Sequence, residues 1–232
     1  MRFSAPLVPA RLVKRHKRFL AEVVLDGGEA VTAHCANSGS MLSLARPGAR
    51  VWLQKSDDPK RKLAWSWKLE EVEGHLVCID TGHPNAIVAE AIAAGAIPSL
   101  AGWATLRREV KYGKNSRIDI LLDDEARGRV YVEVKNVTLM RTPGLAEFPD
   151  AVTSRGAKHL EELADMVAEG HRAVMVYLVN RPDGDRFALA ADIDPTYAKG
   201  FETARARGVE IEVWATRVTT EEIVVERRIE TS

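Results

Sequence analysis

The sequence predicts an α/β protein in two parts: a small closed β-barrel, then a mixed sheet flanked by helices. Three observations predict it. The first eighty or so residues break into five short apolar segments separated by turn residues. Periodicity then changes from strand-like to helical near His83-Pro84-Asn85. Beyond that point strand–helix–strand order occurs twice, which implies right-handed crossovers and parallel pairing on one side of a sheet. The change of pattern divides the chain into residues 1–82 and 83–232.

The barrel strands are expected at Phe19–Leu25, Ala30–Cys35, Ala49–Gln54, Leu63–Glu70 and Leu76–Asp80. Gly27-Gly28 suits a hairpin between the first two, and Arg46-Pro47-Gly48 and Glu73-Gly74 punctuate the later ones. Five strands in so short a span fit a barrel of OB type. Next, Asn85 can cap a helix that runs to about Ala94 and ends at Gly95, with Ile87, Val88, Ala91 and Ile92 as its apolar stripe. A strand follows over Thr105–Tyr112, then two more around Asp119 and Glu133. Pro143-Gly144 and Phe148-Pro149-Asp150 read as a long loop. A helix over about Ser154–Glu169 stops at Gly170, and Ala173–Val179 is a buried strand. Asp194-Pro195 opens a helix ended by Gly208, strand Val209–Ala215 follows, and the tail from Thr219 suits an edge strand.

Chemistry concentrates in two segments, Arg117-Ile118-Asp119-Ile120-Leu121-Leu122 and Val130-Tyr131-Val132-Glu133-Val134-Lys135-Asn136. Charge set into apolar strands is costly unless it is paired or binds a metal. The polar run Asp123–Gly128 suits a turn centred near Ala126, and that register places Asp119 opposite Glu133. Two bare carboxylates at directly paired positions repel, whereas a divalent cation reverses the sign of the interaction. Mg²⁺ takes one or two carboxylates and completes its shell with water and phosphate oxygens. Lys135, two residues beyond Glu133, projects from the same face. A cross-strand salt-bridge cluster is the alternative reading of these three residues.

Asp, a gap, then Glu-x-Lys on paired strands resembles the PD-(D/E)xK, restriction-endonuclease-like superfamily. Further segments carry a narrower resemblance: Lys14–Phe19, Ala33–Met41, Ser56–Lys62, Glu109–Gly113, Tyr131–Thr138 and Phe148–Thr153. Together they look like the sugar fermentation stimulation protein A family of prokaryotes, nearly end to end. The resemblance implies an N-terminal OB-like barrel and a restriction-endonuclease-like mixed-sheet domain. It also implies DNA binding without strong sequence preference. Asp119, Glu133 and Lys135 would be catalytic, with Asp119 and Glu133 holding Mg²⁺ or Mn²⁺. Glu90 matches the place of an acid that such folds carry on the helix before the sheet, which makes it a third metal ligand by the resemblance, but it lies at the edge of its helix's apolar stripe, where a solvent-facing Glu fits equally. Glu109 is a weaker candidate on the preceding strand. The family also suggests an alternative, a non-catalytic DNA-binding regulatory factor of sugar metabolism on a nuclease-like scaffold.

Charge distribution points to nucleic acid, DNA or RNA. The chain is neutral overall, yet residues 1–70 carry 13 Lys and Arg against 6 Asp and Glu, a net of +7, and residues 71–232 balance it at −7. Lys14, Arg15, Lys17 and Arg18 form one basic cluster, which meets phosphate or lies along a solvated strand edge. Lys60, Arg61 and Lys62 form a second. It precedes Trp65 and Trp67, which are either a stacking platform for bases or barrel core. Arg155 and Lys158 open a helix whose free N–H groups attract anions, and His159 is either a general acid or base or an ordinary polar helix residue. Cys35 and Cys78 lack metal-ligand spacing and read as reduced thiols of a cytoplasmic protein. No apolar run is long enough to span a membrane. The sequence leaves room for a homodimer.

Overall fold

The computed structural model describes residues 1–113 and 116–230. The barrel comprises β1 (Leu7–His16), β2 (Leu20–Leu25), β3 (Ala30–Cys35), β4 (Arg50–Lys55), β5 (Trp65–Val72) and β6 (His75–Cys78). Its sheet runs β3-β2-β1-β4-β5, and a parallel β3–β5 pairing closes it, with β6 added outside β5. This is the five-stranded barrel of OB type. The long first strand, β1, does not stand out in the sequence. Pro9 and three exposed residues, Arg11, Val13 and Lys14, obscure its alternation, and a bulge between Leu12 and Lys14 shifts the period midway.

The chain then forms α1 (Pro84–Ala93), a short 3-10 turn at Pro98–Leu100, β7 (Thr105–Tyr112), β8 (Ser116–Asp124) and β9 (Gly128–Val137). It continues through β10 (Leu139–Thr142), β11 (Leu145–Phe148), α2 (Ser154–Ala168), β12 (Arg172–Val179), β13 (Arg186–Leu189), α3 (Pro195–Ala206), β14 (Glu210–Val218) and β15 (Ile223–Arg228). The main sheet has the order β15-β14-β12-β9-β8-β7. β9, β12 and β14 are parallel, as the two crossovers require, while the β7–β8–β9 meander and edge strand β15 are antiparallel. The expected long loop instead contains β10 and β11, which join β13 in a three-stranded sheet. At four residues each these strands are too short to show a period.

Two apolar layers sandwich the main sheet. Leu160, Leu163, Tyr197 and Phe201 from α2 and α3 pack on Tyr131, Met175 and Tyr177. Ile87, Val88 and Ile92 from α1 pack on the other face against Ile120, Val132, Val174 and Trp214. Leu69 and Cys78 of the barrel belong to this second layer, so the barrel and the sheet share one core. The barrel interior is a third cluster built on Leu12, Val23, Leu53 and Trp67.

The barrel also touches the sheet domain through polar contacts. Asp150 Oδ2 accepts the Met41 N–H at 2.9 Å, and the Ser40 hydroxyl donates to the Asp150 main chain. Gly39 makes this approach feasible, since a Cβ there would lie 2.6 Å from Asp150 Oδ2. We expect Gly39→Ala to cost about 1–2 kcal/mol of stability. Urea unfolding of the single variants and the double variant should show that cost largely vanishing in an Asp150→Ala background, because the two residues act through one contact.

Candidate functional site

The β8–β9 ladder has the expected register, from Asp124 opposite Gly128 to Ile120 opposite Val132. It closes one pair short of Asp119 and Glu133. There the alternation breaks in both β7 and β8. Leu106, Ile120 and Leu122 face the α1 layer, whereas Val110, Tyr112 and Ile118 face the α2 layer. Both strands therefore change faces at the Glu109–Asp119 position. Glu109 takes the left-handed conformation, with φ 54°, that this change demands, a strain of about 1–2 kcal/mol for a residue with a Cβ.

The freed Asp119 carboxylate is held from two sides. Oδ2 accepts the Val134 N–H at 2.8 Å, and Oδ1 accepts from Asn85 Nδ2 at 2.7 Å. The same Asn85 amide donates to Glu109 Oε1 at 3.1 Å. Asn85 therefore does not cap α1. His83 occupies the N-cap position without a side-chain cap bond, Pro84 supplies the first helical residue, and Asn85 is a site residue.

Glu133 is only 2% exposed. Its Oε1 accepts from Lys135 Nζ at 2.6 Å and from His159 Nδ1. Lys135 Nζ lies 3.3 Å from the same imidazole nitrogen, and Arg155 Nε donates to His159 Nε2 at 3.3 Å. Thr153 fixes the α2 N-terminus that carries these residues, its Oγ1 accepting the Gly156 N–H. Glu133 Oε2 is buried with no hydrogen-bond partner.

Burial pushes the Asp119 carboxyl up to about 6, with the charge of Glu133 adding to the effect. Burial acts on Glu133 in the same direction, but the hydrogen bond from His159 and the charge and hydrogen bond of Lys135 outweigh it and hold that carboxyl below its ordinary value. The pair is electrostatically unequal: Glu133 has the Lys135 ammonium bonded to it, whereas the direct hydrogen-bond donors to Asp119 are neutral.

These groups line a cleft of about 500 Å³ between the two parts of the chain. Asn37, Ser38, Gly39 and Thr81 form its barrel wall, and Phe148–Thr153 forms the wall leading into α2. Arg155 and His159 line it as well, so the α2 N-terminus faces the cleft.

Other candidates lie elsewhere. Glu90 is directed away from Asp119. Its side chain is 61% exposed and accepts from the Met1 ammonium at 3.0 Å, because its place at the edge of the α1 stripe turns it to the surface. Trp67 is wholly buried and donates to the Leu69 carbonyl, so it is barrel core and no stacking platform. Trp65 is half-buried under Lys55. Lys158 faces Ser116 and Glu162. Arg15 spends its guanidinium on the carbonyls of Arg18, Asn37, Gly39 and Ser40, which makes it a clamp for the barrel wall. Lys14 pairs with Glu22 at 3.3 Å. Lys17, Arg18, Lys60, Arg61 and Lys62 remain on the surface, with Arg61 also bonded to Ser66.

An OB barrel joined to a restriction-endonuclease-like sheet defines the class. The family model described as "Sugar fermentation stimulation protein RE domain" matches residues 82–222, and the "SfsA N-terminal OB domain" matches residues 13–79. The sugar fermentation stimulation protein homolog of Rhodospirillum centenum is 62% identical, with 100% of each chain covered. That of Rhodospirillum rubrum is 63% identical over 91% of this chain and 90% of its own. The solved structure of Pyrococcus furiosus SfsA in complex with Ca²⁺ superposes with a TM-score of 0.89 at 26% identity, covering 100% of this chain and 98% of that one. The chain belongs to the sugar fermentation stimulation protein family.

The electrostatics predict a pH signature. Asp119 binds its proton more tightly in the folded chain than in the unfolded one. The metal-free protein therefore loses stability from this group as pH rises from about 4 to about 6, and the penalty stays in full above that. Thermal unfolding in EDTA should find Asp119→Asn more stable than wild type at pH 8, by roughly 3 kcal/mol, with the difference shrinking towards pH 4.

Proposed function

We propose that this chain is a divalent-metal-dependent phosphodiesterase acting on nucleic acid. The observation that carries the reading is Glu133 Oε2, a buried carboxylate oxygen without a partner beside a second carboxylate held up in pKa. Such an oxygen costs free energy unless a cation completes it. Asp119 and Glu133 fit a hard divalent ion that takes one or two carboxylates and fills its other positions with water and phosphate oxygens. Among the described residues no group of three or more His, Cys, Asp and Glu is placed to hold a metal, so the protein would supply only these two. The complex of the Pyrococcus furiosus relative with Ca²⁺ supports a divalent site here, with Mg²⁺ or Mn²⁺ as the working ion. When bound, the ion would act as a Lewis acid on the scissile phosphate and lower the pKa of its water.

The chain's own residues do the rest. Lys135 brings a positive charge beside Glu133, where it can stabilise charge developing on the phosphoryl oxygens. Arg155 and the free N–H groups at the start of α2 face the same cleft and suit the flanking phosphate. His159 fixes the Glu133 rotamer and leaves Oε2 free. Nucleic acid, DNA in the first instance, would reach the cleft over the basic barrel, whose residues belong to the segment of charge +7. The two-carboxylate set also favours a second reading, a regulatory DNA-binding scaffold that holds a cation without turnover.

Purified protein with Mg²⁺ or Mn²⁺ should cleave labelled DNA or RNA. Glu133→Gln and Lys135→Ala should each lower the rate by roughly 10²-fold or more while the chain stays folded. Absence of cleavage by wild type on single- and double-stranded DNA and RNA alike would leave the scaffold reading in its place.

A further inference from the structure

We propose that the β1–β2 turn, Lys17-Arg18-Phe19, is a base-stacking and phosphate-gripping tip that makes the protein selective for single-stranded nucleic acid. The inference rests on the nucleic-acid reading above and names the form of its substrate. His16 pairs with Leu20, so three residues make the turn, and all three are exposed. Phe19 is 46% exposed and stacks on His34, with ring centroids 6.5 Å apart and 17° between planes. The ring is thus backed by His34 and still about half exposed, and it follows two exposed cations in the chain. Every base has a π-face to offer such a ring, and the adjacent cations take the backbone. Paired bases in a duplex are already stacked on their neighbours, so the tip rewards only the single strand.

The backbone supports a selected role. Lys17 and Arg18 are both left-handed, with φ 50° and 62°. Residues with a Cβ resist this conformation by about 1–2 kcal/mol each, and glycine would remove the strain. The chain keeps two long cations where glycine is cheaper.

The tip also connects to the catalytic cleft. Lys14–Arg18 line a shallow hollow with Ser40, Leu44, Ala45 and Pro47. Asn37, Ser38 and Gly39 of the same loop line the cleft on its other side. Arg15 ties this loop to the hairpin, and Asp150 ties it to the sheet domain. A strand can therefore run from the tip across one rigid loop into the cleft. At about 500 Å³ the cleft matches a drug-sized ligand, in the range of roughly 300–1,000 Å³. That suits a nucleotide or two of a single strand.

Fluorescence anisotropy tests this with full-length protein in EDTA, using labelled oligo-dT and the same strand annealed to oligo-dA. Phe19→Ala should weaken oligo-dT binding roughly tenfold and duplex binding less than twofold. The Lys17→Gly, Arg18→Gly double variant should be no less stable to heat than wild type, yet should lower the slope of log K against log salt by about 1.4 on the single strand. Wild-type affinity for oligo-dT in Phe19→Ala, or an equal loss on the duplex, overturns the inference even if the protein cleaves nucleic acid. A loss confined to the single strand upholds it even if no cleavage is found, in which case only the hydrolysis reading falls.

Discussion

Asp119 and Glu133 repel each other where β8 and β9 part, and the surrounding structure is organised around managing that repulsion. The β8–β9 ladder brings the two carboxylates to the same end of the hairpin. Lys135 brings a positive charge to one of them, and His159 adds a hydrogen bond to the same oxygen. The other receives only the neutral donors Asn85 and Val134, which do not cancel charge. An apolar pair of similar size would be cheaper to bury. The arrangement makes sense as one member of an equilibrium whose other member contains a divalent cation, because the ion removes the repulsion and satisfies Oε2 together.

Backbone strain is spent at the same place. β7 and β8 switch faces together at Glu109 and Asp119, and Glu109 takes a left-handed conformation to do so. A regular strand would carry Asp119 into the ladder, which instead ends at Ile120 opposite Val132. Asp119 at this switch lines the cleft whose far wall comes from the barrel. The barrel is thus more than an appendage: Arg15 and Asp150 hold its Asn37–Met41 loop against the site. Strain recurs at Lys17 and Arg18, which is consistent with strained backbone collecting where ligands are handled.

Much of this was legible in the sequence because it rests on strong patterns. The α2, β12, α3, β14 succession has long apolar periods with clear stops, and Asp123–Gly128 sets the hairpin that brings Asp119 and Glu133 together. What escaped has physical reasons. β1 mixes charge, proline and a bulge, so no two-residue period survives. β10, β11 and β13 are too short to show a period, and β11 is joined to β13 only through a pairing distant in sequence. Asn85 carries the signature of a helix cap, and only the position of β8 reveals that its amide serves Asp119. Trp65 and Trp67 share a strand parity, but the shift in β4–β5 pairing beside Trp67 and closure of the barrel decide that Trp67 is core. The exposed ring is Phe19, which the sequence pattern assigns to the start of a strand and the structure places in the turn before it. Glu90 matched a family position, yet its helix face directs it to the surface.

The central claim is that these two carboxylates form one cation site with the orphan oxygen of Glu133 as a ligand. A crystal soaked in Mn²⁺, with diffraction collected at a wavelength where manganese scatters anomalously, tests it most directly. The account predicts an anomalous peak between Asp119 and Glu133, within bonding distance of Glu133 Oε2. A fully soaked crystal with no peak there, or with manganese bound only elsewhere on the chain, would contradict it.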